Sequence, residues 1–448
     1  MAPQDCQNFL TPLAEGLRLS ATLEINEWVR QRLESGNNVV HLGFGEATFP
    51  MQEDVLRTHQ EASSDTSYLP VAGLPKLRES IAHFQTRRLG CSVKAEQVVV
   101  APGSKPLLFA LFDILRGDVM LPRPSWVSYE PQVMHAGKRV FWVETDGHDR
   151  HTISAASLLQ TYEHAVSSGG NPRILLVNSP SNPTGQAFDE ATVKTIMSFC
   201  HERGITLISD EIYSDIVFST HSAPSAAMNG NLNKSQIILT GGLSKTYSAG
   251  GWRVGFAIFP DTHFGSTIQK AILAYASECW SAASAPAQAA AAVAFDTTPE
   301  MDLYRQKVVS IHRFCTMKLY HALKDCGLDV PQPKGAFYLY PSFHPYEKSL
   351  DALGIQTSVQ LSRWLIEKCG VAALPGSAFG ENDKGMKGGR YRLRMATSYL
   401  YFKDQEDRYN RGYDLLTKSV SSLEELDLSL LNTAIETIQR AVARLRAQ

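Results

Sequence analysis

The chain has 448 residues, 44% of them hydrophobic and 20% charged, with a formal net charge of −2. Such a length exceeds one ordinary core and points to two domains, or to a large domain with a smaller one. The near-neutral balance, without a basic block, argues against nucleic acid or an anionic membrane as the main partner.

The N-terminus, MAPQDCQNFLTPLAEG, is polar and lacks the apolar run of a secretory signal. Short apolar, β-branched runs then alternate with helical patterns. Strands are predicted at 97–102 (QVVVAP), 118–122 (DVMLP), 139–144 (RVFWVE), 173–178 (RILLVN), 205–210 (ITLISD), 236–241 (QIILTG) and 254–259 (VGFAIF), with helices such as 105–116 and 190–204 between them. No stretch approaches the roughly 18 uninterrupted apolar residues of a membrane span. Continuous apolar strands separated by helices indicate a mostly parallel sheet covered on both faces. The reading is therefore an α/β large domain over 51–295 and a smaller α+β domain built from both chain ends, 1–50 and 296–448. The chain closes on an amphipathic helix from 422 onward. Cys6, Cys91, Cys200, Cys279, Cys315, Cys326 and Cys369 are scattered, odd in number and without a C-x-x-C pair. Reduced thiols in a cytoplasmic protein follow, and neither a metal site nor a disulfide framework is expected.

In open α/β sheets, ligands bind beyond the carboxyl ends of the strands. Four strand ends carry unusual polar residues: PGSK (102–105), VNSPSNPTG (177–185), SDEIYSDIVF (209–218) and TGGLSK (240–245). Each alone has an ordinary explanation, since N-P-x-G is a common turn and Asp210 with Glu211 could cap a helix. Four in this order are hard to obtain by chance. A lysine among glycines and serines, Lys245, followed eight positions later by Arg253, is no surface charge run.

From GFGEATFP (43–50) to YRLRMATS (391–398) the sequence resembles the class I aminotransferases of the pyridoxal-phosphate fold-type I superfamily. APGSKPLLFALFDIL and PSWVSYEP are most similar to the aspartate/prephenate aminotransferase subgroup. The resemblance implies pyridoxal 5'-phosphate as cofactor, held by Lys245 as a Schiff base. It implies Arg253 on the cofactor phosphate, with Gly103, Ser104 and Lys105 offering backbone N–H groups and Ser244 a further contact. Asp210 would keep the pyridine nitrogen protonated, Asn182 and Tyr213 would bond the phenolic oxygen, and Trp126 would stack on the ring. Arg394 matches the arginine that clamps the substrate α-carboxylate, although Arg390 and Arg392 stand close by in sequence. Gly45 resembles a glycine whose backbone lies near that carboxylate. Tyr68 matches a tyrosine that reaches the phosphate of a neighbouring subunit, which implies a homodimer. Lys105 is the residue that can pair with the distal carboxylate of an acidic substrate.

The expected reaction is transfer of an amino group between an amino acid, acidic if Lys105 acts so, and a 2-oxo acid. The alternative is other chemistry on the same cofactor: β- or γ-elimination or replacement, carbon–carbon bond formation, or oxidative deamination. A regulator with a DNA-binding module is disfavoured, because about 40 residues precede the first motif and hold no basic helix-turn-helix. Three departures from the family pattern stand out. SAGGWR (248–253) has a second glycine, GFGEATFP lacks a proline–aspartate after the glutamate, and 399–422 intervenes before the last helix. The simplest reading of that insertion is a solvated loop or helix on the small domain; the other is that it shapes the substrate mouth.

Overall fold

Seven apolar runs pair into one sheet: Val98–Ala101 (β1), Asp118–Arg123 (β2), Val140–Glu144 (β3), Pro172–Asn178 (β4), Thr206–Asp210 (β5), Ile237–Gly242 (β6) and Gly255–Ile258 (β7). Their spatial order is β1-β7-β6-β5-β4-β2-β3. Only β7 runs antiparallel to its neighbours; the other pairings are parallel. The structure, a computed structural model, describes residues 9–16, 21–146, 150–219, 222–383, 390–418, 422–423 and 426–448.

The strands read as unbroken apolar runs because both faces are buried. Ile174 and Leu176 of β4 join Leu107, Leu108 and Leu111 in one core. Leu175 and Val177, pointing the other way, join Ile196 and Phe199 in another. The first helix group is Ser104–Ile114 (α1), the second Glu190–Arg203 (α2), both within a residue or two of expectation. Asp189 starts α2 by accepting from the Thr192 N–H at 2.8 Å.

A second unit joins the two chain ends. Val40–His41 pairs in parallel with Val371–Ala372. Leu393–Ala396 lies between Leu374–Pro375 and Tyr338–Leu339, antiparallel to both. The helix Pro299–Asp325 (α3) leads into this unit.

Of the two forms expected for the inserted segment, loop or helix, the structure has the helix, and it is packed as well as solvated. This helix, Gln405–Lys418 (α4), buries Leu415 and Leu416, each stabilising by about 1.5–3 kcal/mol. Its Gly412 packs against Pro50. The last helix runs Ser429–Arg446 (α5), starting later than the sequence suggested, where the Ser429 N–H donates to Asp427 Oδ1 at 3.3 Å. Residues 1–8, with Cys6, and residues 419–421 of the insertion lie outside the described residues. The six described cysteines are free. Among the described residues no helix is long and apolar enough to cross a membrane.

Candidate active site

Sheet register aligns the first part of the site. Asn178, Asp210 and Thr240 stand side by side on β4, β5 and β6. The Asn178 side chain donates to the Asp210 carbonyl at 2.8 Å. Thr240 Oγ1 donates to Asp210 Oδ1 at 3.1 Å, and Tyr129 Oη donates to Oδ2 at 2.6 Å. Asp210 is 3% exposed. Burial raises its pKa, and the two hydroxyl donors oppose that shift.

The antiparallel pair at the sheet edge builds the second part. Ala101 of β1 lies opposite Gly255 of β7, so the chain leaving one strand meets the chain entering the other. Gly103, at φ +87°, turns into α1, which begins at Ser104 without a side-chain cap. Arg253 has φ +55°, a region non-glycine residues seldom use. Its guanidinium donates to Gly250 O at 2.9 Å and to Pro102 O at 3.3 Å. A Cβ on Gly103 would stand 2.3 Å from Arg253 Nη2, so glycine is what admits the guanidinium. An uncapped helix start beside a guanidinium is an anion cradle.

Between these parts lies a cavity of about 520 Å³, and Lys245, just past β6, projects into it. Lys245 Nζ donates to Gly45 O at 2.7 Å. Burial first, then the positive charge of Arg394, pulls the Lys245 pKa down to about 8, against the pull of Glu46. A neutral amine is therefore available near neutral pH, whereas ordinary lysines hold their proton to about 10.4. Acylation of Lys245 in cofactor-free protein is expected to rise with pH through a midpoint near 8, read by peptide mass spectrometry after a short pulse of acylating reagent. A midpoint shared with the surface lysines would refute this electrostatic account.

Arg394 closes the far side. It is 3% exposed. It donates through Nη1 to Asn182 Oδ1 at 3.1 Å and through Nη2 to Gly43 O at 2.6 Å, while Nε is buried without a partner. Its Cζ lies 4.9 Å from the Tyr338 ring centroid. The hydroxyls of Tyr338 and Tyr213 share a hydrogen bond of 2.7 Å, and Asn182 Nδ2 reaches Tyr338 Oη at 3.5 Å. A Cβ on Gly45 would stand 2.3 Å from Tyr338 Oη, so this glycine makes room for a hydroxyl. The neighbouring arginines face elsewhere. Arg390 pairs with Asp351 at 2.8 Å and Glu347 at 3.5 Å, and Arg392 lies against Tyr340.

Of the residues singled out in the sequence, Ser104, Lys105, Trp126, Asn182, Tyr213 and Ser244 also line the cavity. Lys105 Nζ lies 4.9 Å over the Trp126 ring, and burial, then Arg253, lowers its pKa. Gly103 sits behind Arg253. Tyr68 is 97% exposed and lies away from the cavity of its own chain. Sequence reading missed Tyr129, Thr240, Tyr338 and Glu46. Tyr129 follows Trp126 at helical spacing and could have been found that way; Tyr338 and Thr240, on apolar strands, look like core.

A low-pKa lysine, a buried carboxylate, an anion cradle and a buried arginine around one cavity define an enzyme of amino-group chemistry. The family model for aminotransferase class I and II matches residues 37–399. The chain is 32% identical over 371 residues to a probable aspartate/prephenate aminotransferase of Aquifex aeolicus, covering 81% of this chain and 90% of that one. It is 31% identical over 398 residues to an aspartate aminotransferase of Geobacillus stearothermophilus, covering 88% and 95%. A Thermus thermophilus aspartate aminotransferase, solved with maleate, superposes with a TM-score of 0.77 at 25% identity, covering 96% of this chain and 99% of that one. This chain belongs to the class I and II aminotransferase family. It is an aminotransferase, dependent on pyridoxal 5'-phosphate, with the mostly parallel α/β fold of that cofactor's fold-type I.

Proposed function

We propose that this enzyme exchanges the amino group of an acidic amino acid with a 2-oxo acid, using Lys245 as the residue that holds the cofactor. The residues fit the group. Arg253, Ser244 and the backbone at Gly103, Ser104 and Lys105 form the anion cradle for its phosphate. Asp210, supplied by two hydroxyl donors, is the buried carboxylate that would hold the ring nitrogen's proton. Tyr213 and Asn182 serve the phenolic oxygen, and Trp126 offers a flat face. When bound, pyridoxal phosphate supplies the electron sink for the pair left on the substrate Cα.

The protein's own part is positioning and proton movement. Arg394, with Nε unshared and Asn182 and Gly45 nearby, holds the α-carboxylate. Lys245 Nζ, neutral above about pH 8, takes the Cα proton and returns it. Lys105 has no carboxylate partner among the described residues and meets the distal carboxylate of an acidic substrate. Aspartate in the names of several relatives, and maleate in one solved structure, support that choice. The exposed Tyr68 reaches a second subunit's phosphate in a homodimer. The free cysteines fit the cytoplasm. The domain limits stay at residues 50 and 295, just ahead of α3.

The observation that carries this reading is the convergence of Lys245, Asp210, Arg253 and Arg394 on one cavity. The test is the absorption spectrum of purified protein. Aspartate or glutamate is expected to clear the cofactor's visible band with an equivalent of 2-oxo acid released, and a fresh 2-oxo acid to restore it. In Lys105→Gln, KM for the acidic amino acid should rise about tenfold or more. Free ammonia in place of a restorable band would overturn transamination.

A further inference from the structure

The segments that carry the three departures from the family pattern meet at one place, beside Glu46, the glutamate that precedes the first of them. GFGEATFP brings Glu46 into the cavity wall, and SAGGWR brings Gly250 and Gly251 to the same cavity. A Cβ on Gly250 would stand 3.8 Å from Glu46 Oε1, and one on Gly251 would meet nothing within 4 Å. The insertion begins at Tyr399, whose hydroxyl donates to Glu46 Oε2 at 2.7 Å. The Tyr399 ring stands edge-on to Phe44 at 5.5 Å and stacks on His41 at 5.4 Å. Helix α4 then pins both flanking segments. Arg408 donates to Phe49 O at 2.7 Å and to Ser248 O at 3.3 Å, and Tyr413 donates to Met51 O at 2.8 Å. The insertion thus fixes one lobe of the cavity. Glu46 is aimed by one oxygen, and its other oxygen accepts no hydrogen bond among the described residues.

We infer that this lobe is a side-chain subsite for the second, non-acidic amino-group partner, whose side chain ends in an N–H donor that Glu46 Oε1 accepts. A carboxylate with an unshared oxygen in a cavity wall favours a charge-assisted donor and repels a second carboxylate. The missing side chains at Gly250 and Gly251 leave the length such a group needs. Lys105 and Glu46 then sort the two partners of the exchange by opposite charge in one cavity. The inference rests on the reading of Arg394 as the α-carboxylate clamp.

The test titrates the enzyme, loaded with the pyridoxamine form of its cofactor, calorimetrically with acids that then cannot react, since no aldehyde is left for their amines to condense with. These are glutarate, pentanoate and the ω-amino acids 4-aminobutanoate, 5-aminopentanoate and 6-aminohexanoate, with glutaramate as the amide. One N–H-ended acid is expected to bind about tenfold or more tightly than pentanoate. Glu46→Leu should remove that advantage, Glu46→Gln should reduce it and tighten glutarate, and Tyr399→Phe should reduce the advantage. Whether an ammonium or the amide leads tells which donor the lobe takes. If every N–H-ended acid binds no better than pentanoate, the subsite is overturned while the clamp stands. If no acid binds, as expected of Arg394→Ala, the clamp reading falls and the subsite with it.

Discussion

Lys245→Ala is expected to lower the rate of amino-group transfer by about 10⁴-fold or more, the upper range for losing a positioned proton-transfer group, with loss of the covalent hold in addition. The variant should still retain the cofactor, because the cradle around Gly103, Ser104 and Arg253 is built without Lys245. Two measurements separate the roles. Borohydride reduction followed by peptide mapping should label the peptide containing Lys245 in the wild type and no peptide in the variant. Circular dichroism should show the fold kept, since among the described residues the Lys245 side chain makes one hydrogen bond, to Gly45 O. A variant with wild-type turnover would end the assignment.

Arg394→Ala is expected to reduce kcat/KM for both the amino acid and the 2-oxo acid on the order of 10³-fold, the range for removing one partner of a buried charged contact. The loss should fall mainly on KM, and amines lacking a carboxylate should be affected far less. Part of the effect reflects the groups left behind, since Asn182 Oδ1 and Gly43 O lose their donor. Arg394→Lys should recover little, because a point charge cannot reproduce the planar fork. A fall in kcat at unchanged KM would count against the clamp.

The parts of the site legible in the sequence are those fixed by the ends of parallel strands. Asn182, Asp210 and Lys245 each follow an apolar run, and in such a sheet those runs must end at one edge. Contacts set by antiparallel register were not legible. That Arg253 fills the space above Gly103 depends on Ala101 facing Gly255, and no local pattern states that pairing. Tyr338 could not be found because an aromatic on an apolar strand reads as core until the fold turns its hydroxyl to Tyr213. The insertion shows the same limit. Its charges and aromatics read most simply as a solvated loop or helix, yet Tyr399, Arg408 and Tyr413 all bond to residues 46–51 or 248, far away in the chain. Composition leaves loop and helix both open there and is silent about what the segment braces.

The hydrogen bond from Arg394 to Gly43 joins residues 351 positions apart, and that from Lys245 to Gly45 joins residues 200 apart. Chain order therefore separates two parts of the site in time. During synthesis the groups of the cofactor cradle, from Gly103 to Arg253, are all present long before Arg394 leaves the ribosome. Contacts of such separation also close late, since the entropy of the intervening loop must first be overcome. The growing chain thus holds every group of the anion cradle before it holds the arginine that closes the far side of the cavity.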